Sequence, residues 1–211
     1  MMTDGSTRGL GRWTWAGVLA VWVSAVGLGL GGAAYASSRP GRAASAPHDW
    51  PSETHLVRTV GRPTLLLFVH PRCPCTRASL RELSRTMARA QGRIDVTILM
   101  SGPTKADHVP FGGLDAFELA RAVPGANVVV DSAEVGRFGV FTSGQVLLYD
   151  ADGTLTFHGG ITQARGHEGP SAGGEAILRA ALREPPRLGT SSVFGCGLLS
   201  PAEIARGGES P

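Results

Sequence analysis

The sequence predicts an α/β three-layer sandwich, a mostly parallel sheet covered by helices, behind one N-terminal helix able to cross a membrane. Three observations carry this. Residues 13–36 hold no charge and are rich in Ala, Val, Leu, Gly and Trp, a stretch long enough to cross a hydrocarbon core of about 30 Å as a helix. Beyond residue 60, short wholly apolar runs alternate with helical patterns, as buried parallel strands joined by helices do. Two late strand-like runs flank Asp150-Ala151-Asp152-Gly153, a hairpin turn with Gly at its last position, so the sheet closes antiparallel.

Taken in order, residues 1–12 read as a cytoplasmic N-terminus and 13–36 as a signal-anchor or signal peptide. Arg8 and Arg12 precede the apolar stretch, and Arg39 and Arg42 follow it, so arginine count alone does not orient it. Ala34-Tyr35-Ala36 has the small-x-small form of a cleavage site. The stretch nevertheless exceeds the 7–15 apolar residues usual for a signal peptide, which favours an uncleaved anchor. Either way everything after residue 37 is exported. Residues 37–54, with Pro40, Pro47 and Pro51, read as a linker, and 55–211 as the domain with a C-terminal extension.

The domain opens with Thr64 to Val69, an apolar run suited to a central strand. After His70-Pro71-Arg72-Cys73-Pro74-Cys75 comes a helical pattern, with Leu80, Leu83, Met87 and Ala90 on one face and Gly92 closing it. A second strand is expected over 94–100, a short helix over 114–123 and a third strand over 127–131. The hairpin strands follow at 145–149 and 154–159. A polar, Gly-rich loop to Gly174 leads to a last helix over 175–183. The expected order is β-α-β-α-β-β-α.

Composition limits the function. The 211 residues carry 20 basic and 17 acidic side chains for a net charge of +3. Lys105 is the one lysine, and the arginines form no dense run, which argues against a nucleic-acid partner. Three cysteines are too few for a disulfide scaffold. Cys73 and Cys75, one proline apart, close almost no chain loop and would staple nothing. Their value lies in chemistry or in nothing, the plain alternative being two cysteines that merely sit in a turn.

His70-Pro71-Arg72-Cys73-Pro74-Cys75-Thr76-Arg77-Ala78-Ser79-Leu80, Thr142-Ser143-Gly144, Gly159-Gly160-Ile161-Thr162 with Arg165-Gly166-His167, and Val193-Phe194-Gly195-Cys196 carry a resemblance. Over roughly residues 55–185 the chain resembles the thioredoxin superfamily. More narrowly it looks like the membrane-anchored thioredoxin-like proteins labelled RedB. The resemblance implies a thioredoxin-like fold and protein thiols or disulfides as substrates. Two departures stand out. The usual redox motif places two residues between its cysteines, where this chain has one. Phe141-Thr142-Ser143-Gly144 also lacks the cis-proline that, in the superfamily, aligns the substrate backbone and discourages metal binding.

A cysteine at the first turn of a helix meets unpaired N–H groups and the positive end of the helix dipole. Arg72 and Arg77 add positive charge. Each favours the thiolate, the reactive form. The reading is therefore a thiol–disulfide oxidoreductase on the periplasmic face of a bacterial inner membrane, single-pass and needing no cofactor. Cys73 is expected as nucleophile and Cys75 as resolving cysteine, with Cys196 the second candidate for that step. Cys196 also fits a buried thiol packed as a small hydrophobe. The alternative is a copper or zinc binding or delivery protein in which His70, Cys73, Cys75 and Cys196 hold the metal. A turn histidine engaged in hydrogen bonding is the plainer reading of His70. A third possibility is a non-catalytic assembly factor on the same fold. Asp107-His108 and His158 attract no role, and Arg165 to Gly169 reads as a surface loop with a capping role.

Overall fold

The computed structural model describes residues 7–101 and 116–198, with side chains from residue 13 onward. The chain divides into two units, Met1–Arg39 and Pro40–Pro211. In chain order the elements are α1 (Thr7–Ser38), β1 (Thr64–Val69), α2 (Thr76–Ala90), β2 (Asp95–Met100), α3 (Ala116–Arg121), β3 (Ala126–Val130), α4 (Ser132–Arg137), β4 (Gln145–Tyr149), β5 (Leu155–Gly160) and α5 (Ala172–Ala181).

The first unit is α1. Its stretch Trp13–Ser38 reaches a mean hydropathy of 1.8 and buries nothing within the protein. Trp13, Trp15, Trp22 and Leu28 all stand exposed. A helix apolar all round suits a lipid or protein surround rather than water. By length and composition it is able to cross a membrane.

The second unit is a five-stranded sheet in the order β3-β2-β1-β4-β5. β1, β2 and β3 are parallel, and β4 and β5 run antiparallel to their neighbours. Central position explains composition: all six residues of β1 are buried, so no polar alternation survives in it. Leu65, Leu67 and Val69 face a core shared with Leu80, Leu83 and Met87 of α2 and Ile177 of α5. Leu66 and Phe68 face the opposite core with Val135, Phe138, Leu147 and Tyr149. Helices α2, α3 and α5 thus cover one face, and α4 belongs to the other. The three layers match the fold class read from the sequence.

The apolar face expected on α2 is the buried one. Other boundaries moved for local reasons. The structure adds α4, which the sequence reading lacked, started by Asp131 accepting from the N–H groups of Ala133 and Glu134. α5 begins at Ala172 because Ser171 caps it, accepting from Gly174 N–H. The expected helix over 114–123 appears as Ala116–Arg121, with Leu114, like Asp107 and His108, outside the described residues.

The stretch expected to be a linker is packed against the sheet from Gly41 onward. Its backbone bonds Ser45 N–H to Gly139 C=O (2.9 Å) and Trp50 N–H to Gly153 C=O (2.9 Å). Trp50 stacks edge-on against Phe138 and Tyr149, with centroids 5.5 and 5.1 Å away. Fully buried Glu134 accepts from the Thr54 hydroxyl and from His55 N–H and pairs with Arg137. Proline and small residues here mark an extended strap with its own partners rather than a free tether.

Candidate active site

β1 delivers the chain into a turn at the head of α2. Cys73 N–H donates to His70 C=O and Thr76 N–H donates to Cys73 C=O, both at 3.0 Å. The Thr76 hydroxyl donates to His70 C=O at 2.8 Å and lies 3.2 Å from Ser143 Oγ. Ser143 Oγ also accepts from His70 N–H at 3.0 Å. Cys75 stands at the N-cap of α2 in a right-handed conformation (φ −75°, ψ −18°) and makes no side-chain cap bond. The cysteine turn is therefore fixed from two sides, by α2 and by the loop before β4.

The C-terminal segment completes the site. Residues 189–191 lie along β5, with His158 N–H donating to Gly189 C=O (3.0 Å) and Ser191 N–H to His158 C=O (3.3 Å). The chain then crosses in front of the cysteine turn. Ser143 N–H donates to Cys196 C=O (2.8 Å) and Leu198 N–H to Phe141 C=O (2.9 Å), around an antiparallel bridge between Thr142 and Gly197. The Arg165 guanidinium donates to Gly195 C=O at 2.7 Å. Glycines make this path possible. A Cβ on Gly159 would strike Ser191, one on Gly160 the Ser192 carbonyl, and one on Gly195 the Ser143 carbonyl.

This crossing brings all three cysteines together, each a free thiol. Cys73 and Cys75 are buried and Cys196 is exposed. Burial alone would push the Cys73 thiol up. Hydrogen bonds from the Cys196 thiol, from the Cys196 and Cys75 backbone N–H groups and from Ser143 outweigh burial and lower it. Cys75 is raised, by burial and by the Cys73 charge, against a hydrogen bond from Gly166 N–H and the Arg165 cation. Cys196 is pushed up to about 11 by burial, by its hydrogen bond to Cys73 and by the Cys73 and Cys75 charges, with Arg165 opposing. Of the three, Cys73 is the thiol whose ionised form the site favours, and Cys75 and Cys196 are held toward the protonated form.

His70 Nδ1 accepts from Arg72 N–H at 3.1 Å, inside the turn. Among the described residues no group of three His, Cys, Asp or Glu side chains is arranged to hold a metal ion. His158 is a half-buried residue of β5. Arg165 does more than the loop role expected of it, since its charge reaches Cys75 and Cys196 and its side chain holds Gly195. Glu168 binds the same loop to α2 through Arg81 and Arg85. Sequence reasoning gave Ser143, Arg165 and Gly166 no part in the chemistry. The signal for Ser143 was its place in the proline-less Thr142-Ser143-Gly144 before β4.

No family model matches the chain, and no curated protein does. Among solved structures, an uncharacterized conserved protein from Geobacillus kaustophilus superposes with a TM-score of 0.54 at 16% identity, over 78% of this chain and 94% of that one. A hypothetical protein from Sinorhizobium meliloti matches with a TM-score of 0.54 at 17% identity, over 76% and 93%. A secreted disulfide oxidoreductase of Mycobacterium tuberculosis matches at 19% identity over 59% and 83%, with a TM-score of 0.40. In strand order, helix layers and the cysteine turn at the head of α2, the chain carries a thioredoxin-like fold.

Proposed function

We propose that the chain is a membrane-anchored thiol–disulfide oxidoreductase centred on Cys73. The observation that carries this reading is the meeting of three cysteines at the head of α2, with four hydrogen bonds favouring the ionised form of Cys73. Thiolate is the attacking species in disulfide exchange. Cys73 attacks a substrate disulfide and forms a mixed disulfide, releasing one substrate thiolate. A neighbouring thiol, Cys75 or Cys196, then attacks the Cys73 sulfur and releases the other. The substrates are protein thiols or disulfides. The resemblance to RedB-type proteins and the apolar α1 support a single-pass anchor in a bacterial inner membrane with the domain on the periplasmic side.

The test is thiol titration of the purified full chain in detergent before and after mild reduction, with metal analysis on the same sample. Two thiols gained on reduction without bound metal support the reading. Copper or zinc at one per chain, with thiols titrating only after chelation, would replace it with metal delivery by the same cysteines. Turnover is checked by insulin reduction: Cys73→Ser abolishes it, whereas an assembly factor shows no turnover to lose.

A further inference from the structure

We propose that Cys73 forms its disulfide with Cys196, across the fold, and that this bond clamps residues 193–198 over the site as a strap. The inference rests on the oxidoreductase reading above and assigns its resolving cysteine.

Geometry separates the two candidates. Residues 73–76 form a hydrogen-bonded turn, closed by Thr76 N–H on Cys73 C=O, with Cys75 in helical backbone conformation. The Cys75 thiol is also hydrogen-bonded to the Cys73 sulfur. The two cysteines, however, sit one residue apart inside this closed turn, where the geometry of a disulfide is met only by backbone movement. Joining Cys73 to Cys75 therefore demands that the entry turn of α2 open. Cys196 arrives from a different strand, set against Cys73 by the antiparallel pairing with residues 141–143. Its thiol already donates to the Cys73 sulfur, so the bond replaces an existing contact and leaves the turn closed.

The same pairing makes the segment a strap. It is held by four backbone carbonyls and N–H groups (Gly41 to Val193, Ser143 to Cys196, Leu198 to Phe141 and Arg165 to Gly195) and by the buried side chains of Val193 and Leu198. Beneath it Cys73 is 3% exposed. A substrate sulfur gains its line of approach to Cys73 when the strap lifts, and an exposed Cys196 travels with it.

The step balances. The reduced protein reacts through Cys73 as the thiolate, with Cys196 as the thiol. Cys73 attacks the substrate disulfide R–S–S–R′, forming Cys73–S–S–R and releasing R′–S⁻. The charge that held the Cys196 proton is then gone. Cys196 gives up that proton to solvent or to the released thiolate and attacks the Cys73 sulfur, expelling R–S⁻. Two electrons pass from the protein to the substrate, leaving the Cys73–Cys196 disulfide. A dithiol reductant restores the starting state by the reverse exchange.

The experiment is disulfide mapping of the full chain in detergent. The chain is oxidised with hydroxyethyl disulfide, its remaining thiols are blocked with N-ethylmaleimide, and it is cut with trypsin for mass spectrometry. Cleavage after Arg72, Arg77, Arg187 and Arg206 isolates Cys73 with Cys75 on one peptide and Cys196 on another. The expected product is residues 73–77 joined to 188–206 through Cys73, with Cys75 alkylated. Cys75→Ser leaves that product unchanged, and Gly195→Ala, which drives the strap off the Ser143 carbonyl, lowers its yield at least several-fold. An internal Cys73–Cys75 bond with Cys196 alkylated overturns the inference and leaves the oxidoreductase reading standing. Failure to form any disulfide overturns both. The strap has its own readout in amide exchange of Ser143 and Leu198. These exchange at least tenfold slower after oxidation, and equal rates would overturn the clamp.

Discussion

The acidity of Cys73 comes from its donors. At an apolar, buried position a thiol is raised, so without them Cys73 would be a weaker acid than a free cysteine. Removing the Cys196 thiol in Cys196→Ala takes away the first of those donors. The pH midpoint of Cys73 alkylation by iodoacetamide is expected to rise in this variant and to move less in Cys75→Ala, whose backbone N–H remains. The charge also fixes how stability changes with pH. Cys196 has a folded pKa of about 11, above the ordinary cysteine value of about 8.5. Its contribution is intact below the ordinary value and is lost as pH rises through the folded one. Cys73 is lowered, so its contribution is present above the ordinary value and lost as pH falls through the folded one. Between them the reduced protein is most stable around the ordinary thiol range. Denaturant midpoints measured from neutral pH to pH 11 should fall at the alkaline end, and less so in Cys196→Ala.

At the level of elements, the parts readable from sequence were those whose cause is local. β1 is a continuous apolar run because it is the central strand, and α2 shows its buried stripe in its own spacing. The hairpin turn is set by Asp150, whose carboxylate accepts from the N–H groups of Asp152, Gly153 and Thr154. What could not be read depends on partners distant in the chain. The packed stretch 41–56 is polar and proline-rich because its backbone bonds to residues about a hundred positions away, and no local period records that. Cys196 shows the same limit: its motif was visible, but its neighbour Cys73 is set by a crossing that only the folded sheet defines. Ser143 and Arg165 entered the site by the same route. The strap at 41–56 has a test. Glu134 is fully buried and holds Thr54, His55 and Arg137. Removing a partner from a buried charged cluster costs about 3–5 kcal/mol. Glu134→Ala is expected to lower stability on that scale in urea denaturation and to expose residues 50–58 to proteolysis.

For the whole molecule, α1 and the domain obey different solvents. The domain buries its apolar side chains on both faces of the sheet, whereas α1 exposes every apolar side chain described in it. A chain built this way should pellet with membranes and resist extraction by alkaline carbonate. An anchor keeps the full mass of 21.9 kDa in that fraction, while cleavage after Ala36 sends a lighter form to the soluble one. Intact-mass measurement of the two fractions decides between them.

The track of bare backbone at Gly159, Gly160 and Gly195 also sets an order of events. Residues 189–198 follow every described strand and helix of the domain in the chain, so the sheet, α2 and α5 can form before the closing segment docks. During that interval Cys73 stands uncovered on a finished scaffold, and the newly made domain meets its first oxidant without a lid. Maturation of the reactive centre is thus the last act of folding, and a pause in synthesis near residue 188 would hold the protein in an open, promiscuously reactive form.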